Sequence, residues 1–193
     1  MTAPVYAKKV HYNGNGFFTG EDAKLFLSFQ KDFFSNISLN TLQEIIYRGP
    51  SNLKTNKFLL YHNFDMLKLF IENMTIDDSL YSGIEAMCSS KLVVIDYLGS
   101  GYLEALVNNV PTILFLHKNC YLSQSQEKIF DELIEVGIMQ TDAKKASEFL
   151  EEIKSDPLQW WLKDNVQNAK NNFIDNVLGD GEILKDKLLS LVK

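Results

Sequence analysis

The chain has 193 residues, of which 46% are hydrophobic and 23% charged, so it is long and apolar enough to bury a globular core. Its net charge of -6 and its lack of a basic tract argue against a nucleic-acid partner or an anionic membrane surface. No apolar run approaches the roughly 18 to 20 residues that span a bilayer. These features predict a cytoplasmic protein without a transmembrane segment.

Residues 1–19 are predicted to be irregular, because Asn-Gly-Asn-Gly is a turn signal with no strand before it. A helix is predicted from Thr19 or Gly20, since the acidic residues that follow suit the positive end of a helix dipole. Large apolar residues then recur at helical spacing, which is typical of a core helix. They are Leu25, Phe26, Phe29, Phe33 and Phe34.

Short apolar runs at 44–47 and 57–61 predict two strands, and helical patterns follow at 64–72 and 80–89. The last of these places Cys88 on an apolar face, where we expect a buried thiol. With Cys120 as the second cysteine, the chain lacks both a disulfide framework and metal-ligand spacing.

The run at 92–95 is continuous and rich in β-branched residues, which indicates a central strand covered on both faces. A second such strand is predicted at 112–116, with an amphipathic helix between the two. The rest of the chain is predicted to be helical. The first helical segments are 124–136, which stops at Gly137, and 142–153. Pro157 then opens a short segment that contains Trp160 and Trp161. A helix at 163–177 and a last helix that runs to Leu191 follow.

Strands that alternate with helices predict an α/β fold, a Rossmann-like parallel sheet with helices on both faces. We assign residues 20–155 to this domain and 156–193 to C-terminal helices that pack back on it. In such sheets ligands bind at the carboxyl ends of the strands.

The segment Asp-Tyr-Leu-Gly-Ser-Gly, from Asp96 to Gly101, leaves one of these strands and enters a helix. Free backbone N–H groups and the dipole at a helix N-terminus favour an anion there, and a diphosphate fits best. Glycines would permit unusual backbone angles and close approach of a ligand. The alternative is structural: Ser100 caps the helix, and Glu104 lies in its first turn, where a carboxylate suits the dipole.

The stretch DYLGSGYLEALVNNVPTILF resembles the nucleotide-sugar-binding element of GT-B-fold glycosyltransferases. The segments FDELIEVGIMQTDAKKASEFLEEI, DPLQWW and VQNAKNNF extend this likeness. Together they resemble the C-terminal, donor-binding half of a bacterial family of surface-carbohydrate biosynthesis transferases. The resemblance covers residues 43–177. It implies a nucleotide-sugar donor as substrate, no cofactor, and a cytoplasmic protein, or one peripheral at the inner membrane.

Residue by residue, the resemblance implies a substrate-binding set and leaves the catalytic residues unknown. Ser100 would face the donor phosphates with Gly99 beside it, and Gly101 departs from the second hydroxyl residue usual in the family. Tyr97 matches an aromatic of the turn, and Glu104 would bind ribose or sugar hydroxyls. Arg48 also belongs to this set, where its guanidinium would bind a diphosphate; the alternative is an ordinary surface arginine. His117 is the last member, as a ligand contact, and the alternative there is a structural histidine.

A GT-B enzyme places its site between two Rossmann-like domains, and this chain matches one of them. The acceptor domain is therefore expected as a missing N-terminal domain or partner subunit. The sequence lacks an Asp-x-Asp metal signature, so helix N–H groups and side chains are expected to neutralise the leaving diphosphate. Two alternatives stay open. One is a non-catalytic subunit or degenerate relative that partners a catalytic chain; the other is a polyol-phosphate transferase that uses a cytidine diphosphate donor.

Overall fold

The computed structural model describes residues 20–48, 70, 72–77, 80–96, 99–116 and 124–179. Its strands are β1 (Ile46–Tyr47), β2 (Thr75–Ile76), β3 (Val93–Ile95), β4 (Thr112–Phe115) and β5 (Met139–Gln140). Its helices are α1 (Gly20–Ser35), α2 (Leu39–Glu44), α3 (Gly83–Cys88), α4 (Ser100–Val107), α5 (Gln124–Glu135), α6 (Ala143–Ile153), α7 (Pro157–Trp161) and α8 (Asp164–Leu178).

All strand pairings in these ranges are parallel, so the α/β class predicted from the sequence is confirmed. β3, β4 and β5 form one sheet in that order, with Val93 beside Thr112 and Leu114 beside Met139. β1 and β2 form a separate pair. Helices precede or follow each strand, as the connection of parallel neighbours requires.

The centre of the three-stranded sheet is β4, whose four residues are all buried. β3 lies at the edge of the sheet as far as the structure describes it, and its first two valines are only half-buried. Within the described residues, the central position and full burial predicted for 92–95 are therefore not found. The fully apolar run after Pro111 holds the central place instead.

Helix α1 packs its phenylalanines on the carboxyl end of β4. The rings of Phe29 and Phe33 each lie 4.5 Å from the ring of Phe115, the last residue of that strand. All three side chains are buried. Buried aromatic side chains contribute much of the local packing energy, so these contacts fix α1 over the carboxyl ends of the strands. Parallel α/β proteins bind their ligands at that end of the sheet.

The two tryptophans anchor the turns that lead from α4 into β4 and from α5 into β5. Trp161 is fully buried, and its indole N–H donates to the backbone oxygen of Asn109 at 3.0 Å and to its Oδ1 at 3.1 Å. Trp160 donates to the carbonyl of Val136 at 3.1 Å. Lys170 adds a third bond, from Nζ to Asn109 Oδ1, at 2.7 Å. Both tryptophan side chains are thus buried and hydrogen-bonded within the fold.

Several predicted boundaries changed for local physical reasons. Glu44 ends helix α2, which begins after Ser38 because that side chain accepts a hydrogen bond from the backbone N–H of Thr41. Only Ile46 and Tyr47 of the predicted strand 44–47 are extended in a ladder. Cys88 is exposed, not buried: α3 has six residues and turns Met87 to the core, and the next residue points about 100° away.

Other expectations lie outside the described residues. They are the irregular segment 1–19, the strand at 57–61, almost all of the helix at 64–72 and the last helix to Leu191. The division into 1–19, 20–155 and 156–193 stays a prediction.

Candidate functional site

The turn from β3 into α4 has the geometry of an uncapped helix entrance. Gly99 is the N-cap residue, with φ of −120° and ψ of −172°, and makes no side-chain cap hydrogen bond. Ser100 is the first helical residue and is exposed, while Gly101, the second, is buried. Ser100 therefore does not cap the helix, and its hydroxyl lies beside first-turn N–H groups that have no intrahelical acceptor.

Other helix entrances in the described ranges are closed by side chains. Ser38 caps α2, Ser82 caps α3, Asp142 caps α6 and Asp156 caps α7. Among the entrances whose N-cap is described, α8 alone shares the open state of α4, and its N-cap is Lys163. An N-cap Ser or Asp would occupy the first-turn N–H groups, so a glycine leaves them available.

The glycines of the turn do not adopt the unusual backbone angles that we expected. Positive φ among the described glycines occurs at Gly137 and Gly179, whereas Gly99 is extended and Gly101 is helical. The advantage of glycine here is the missing side chain. At position 99 it leaves the helix without an internal cap, and the glycine at position 101 is itself buried.

Glu104 lies in the second turn of α4, so the expectation of a first-turn carboxylate was wrong. Its side chain is half-buried, and its backbone carbonyl accepts from the N–H and the Nδ2 of Asn108, at 3.1 Å and 2.8 Å. It cannot form a capping box with Gly99, which needs the third helical position. Contact with donor hydroxyls stays a prediction for this residue.

Arg48 lies elsewhere, at the end of β1 in the two-stranded sheet. Its Nη1 pairs with Oδ2 of Asp77 at 2.5 Å, and its Nη2 donates to the carbonyl of Tyr81 at 2.9 Å. Arg48 directly follows β1 and Asp77 directly follows β2, and these two strands are parallel neighbours. The guanidinium is thus neither an ordinary surface group nor an unoccupied fork, and a role toward a diphosphate stays a prediction.

The structure groups Gly99, Ser100, Gly101 and Glu104 on one turn and helix. Tyr97 and His117 lie outside the described residues. No group of three or more His, Cys, Asp or Glu side chains that could hold a metal occurs within the described ranges. In that same part of the chain no helix is long and apolar enough to cross a membrane.

A buried polar pair that the sequence analysis missed lies at the same edge of the sheet. Asp96 directly follows β3 and is 7% exposed, and Gln30 of α1 is 1% exposed. The Nε2 of Gln30 donates to Oδ2 of Asp96. The other two oxygens, Gln30 Oε1 and Asp96 Oδ1, are buried with no hydrogen-bond partner, as far as the structure describes the chain.

Burial in this apolar setting raises the pKa of Asp96 to about 6, and the hydrogen bond from Gln30 offsets only part of that effect. A sequence signal existed for both residues. Gln30 is the polar exception on the face of a Phe-rich helix, and Asp96 ends a buried strand of a parallel sheet. Polar groups at such positions are either functional or costly to bury.

A parallel α/β sheet with an open helix entrance and buried polar oxygens at its carboxyl edge has the features of a protein that binds a ligand there. The sequence model of the LIC12162 family transferases matches residues 7–182. The chain belongs to this transferase family. Searches of curated proteins and of solved structures returned no significant match.

Proposed function

We propose that this chain is the nucleotide-sugar-binding domain of a glycosyltransferase for bacterial surface polysaccharide or glycoconjugate synthesis, acting in the cytoplasm. The observation that carries the proposal is the open entrance of α4 at the carboxyl end of β3. Membership of a transferase family fits a group-transfer reaction at this site. The substrate class rests on the resemblance of residues 96–115 to the donor element of GT-B enzymes.

The donor diphosphate would lie on the first turn of α4. The N–H groups of Ser100, Gly101 and Tyr102 lack intrahelical acceptors, and the helix dipole adds roughly half a positive charge at this end. The Ser100 hydroxyl can donate a further bond. These fixed donors would stabilise the charge that develops on the leaving nucleoside diphosphate when the sugar departs.

The acceptor hydroxyl and its base would come from another domain or subunit. Arg48 could contribute only by exchanging Asp77 for a phosphate, because both of its terminal nitrogens are already engaged. In this proposal the turn 96–101 therefore supplies the donor side of the reaction, and Ser100 is the side chain closest to the phosphates.

A substitution that caps the helix internally tests this site. Gly99→Asp places a carboxylate where it can accept from the first-turn N–H groups, and the extended backbone of Gly99 accommodates it. We expect unchanged or slightly raised thermal stability and loss of binding to uridine, cytidine or guanosine diphosphates in calorimetric titrations.

Lys163→Asp is the matched control, because it makes the same cap at the uncapped entrance of α8. It should leave nucleotide binding unaffected. Failure of all three diphosphates and their sugar conjugates to bind the unaltered chain would refute the proposal. If Gly99→Asp binds the diphosphates as tightly as the unaltered chain does, the phosphates do not bind at the entrance of α4.

A further inference from the structure

We propose that Gln30 and Asp96 form a hydroxyl-recognition subsite, which binds neighbouring hydroxyl groups of the donor next to the phosphate-binding turn. This inference rests on the proposed function, and adds to it a specificity determinant on α1, outside the segment that resembles the GT-B donor element. Its basis is the placement of two buried, unpartnered acceptor oxygens at the ligand-binding edge of the sheet.

The two side chains are held firmly where they are. Gln30 lies on α1 between Phe29 and Phe33, whose rings are fixed on Phe115. Asp96 continues β3 and precedes the entrance of α4 by three residues. Their mutual bond uses Gln30 Nε2 and Asp96 Oδ2, so the remaining oxygens are fixed in orientation as well.

A buried acceptor without a donor costs free energy, roughly 1 to 3 kcal/mol by comparison with mutational data. Two such oxygens in contacting side chains, one on a helix and one at a strand end, are hard to explain by packing. An apolar pair of the same size would fill this space at no such cost. A ligand that brings its own donors would remove the penalty.

The chemistry of the pair selects hydroxyl groups. Both unpartnered atoms are acceptors, one of them on a carboxyl group, so they fit O–H donors and oppose phosphate oxygens. A nucleotide sugar offers hydroxyls in two places, the ribose and the transferred sugar. With the diphosphate on the first turn of α4, either could meet the pair, and the assignment between them is an outcome of the test.

Asp96→Asn is the most informative variant. An asparagine amide can donate to Gln30 Oε1 while its oxygen accepts from Gln30 Nε2, so the two side chains satisfy each other. Both acceptors are then withdrawn from the ligand without a change in volume. Asp131→Asn, an exposed carboxylate on α5, is the matched control for the loss of one negative charge.

The probes are uridine, cytidine and guanosine diphosphates, their 2′-deoxy counterparts and their glucose conjugates, titrated calorimetrically. We expect Asp96→Asn to weaken binding of the hydroxyl-bearing ligand about tenfold or more, which is the range for one bond to a carboxylate. A loss for ribose diphosphates that is absent for the deoxy forms assigns the pair to the ribose. A loss confined to the glucose conjugates assigns it to the sugar.

Other outcomes overturn the inference. If Asp96→Asn binds every probe as the unaltered chain does, while Gly99→Asp abolishes binding, the phosphate site stands and the hydroxyl subsite falls. The same holds if Glu104→Gln removes the discrimination and Asp96→Asn keeps it. If no probe binds the unaltered chain, the proposed function fails, and the subsite fails with it.

Discussion

Replacing Asp96 by asparagine should stabilise this protein at neutral pH. The carboxyl group is buried, and burial raises its pKa from 3.8 to about 6. The native state therefore holds the proton more tightly than the unfolded chain. Stability contributed by this group is fully present below about pH 4 and is lost as the pH rises through 6.

The size of the effect follows from the two pKa values. A difference of about two pKa units corresponds to about 3 kcal/mol of unfolding free energy. An asparagine cannot ionise, so it escapes this cost at neutral pH, and it also satisfies Gln30 Oε1. We expect Asp96→Asn to be more stable than the unaltered chain by up to about 3 kcal/mol near pH 7.5, and by little near pH 4.

Urea unfolding followed by tryptophan fluorescence measures this difference, because Trp160 and Trp161 are both buried. The comparison at two pH values isolates the Asp96 contribution from that of other carboxylates. Asp131→Asn is the control for the loss of one negative charge at an exposed position. The reasoning fails if Asp96→Asn is no more stable than the unaltered chain at pH 7.5. It also fails if the gain in unfolding free energy is the same at pH 4 as at pH 7.5.

Three further predictions concern the scaffold, each read by urea unfolding. Gly137→Ala should cost about 2 kcal/mol, because Gly137 has φ of +85° and a Cβ there would lie 3.0 Å from the ring of Phe149. Asn109→Ala should cost about 1 kcal/mol by removing the part-buried acceptor of the Lys170 ammonium, whereas Asn109→Asp should keep the bond and the stability. At Glu151, burial opposes ionisation, but hydrogen bonds from Lys154 and Ser38 outweigh it and lower the pKa to about 2. Its contribution is therefore lost as the pH falls from 4.5 toward 2, and Glu151→Gln should cost about 1 kcal/mol at pH 7 and flatten that acid-side decline.

The regular elements were predictable where one periodic signal ran long enough. The helices at 124–135 and 143–153 and the strand at 112–115 match their predicted positions within one or two residues. Their apolar spacing, with Gly137 as a stop and Asp142 as a cap, determines the structure locally. The helix α2 and the two-residue strands β2 and β5 escaped, because so short a pattern cannot be told from a loop.

The open turn of the site was predictable from Gly-Ser-Gly after an apolar run, but the reason for its glycines was not. That reason depends on which residue becomes the N-cap, and a shift of one position turns Ser100 from a cap into an exposed hydroxyl. The Gln30–Asp96 pair could not be located from the sequence, because the two residues are 66 positions apart and meet only through tertiary packing.

The three hydrogen bonds on Asn109 have a consequence for the opposite end of α4. They anchor the turn just after a helix only eight residues long, and we expect this anchor to restrict the motion of its first-turn N–H groups. A ligand at that entrance would lose less affinity to the ordering of the backbone. Residues such as Trp161, which cannot contact the ligand, would then govern how tightly it is held.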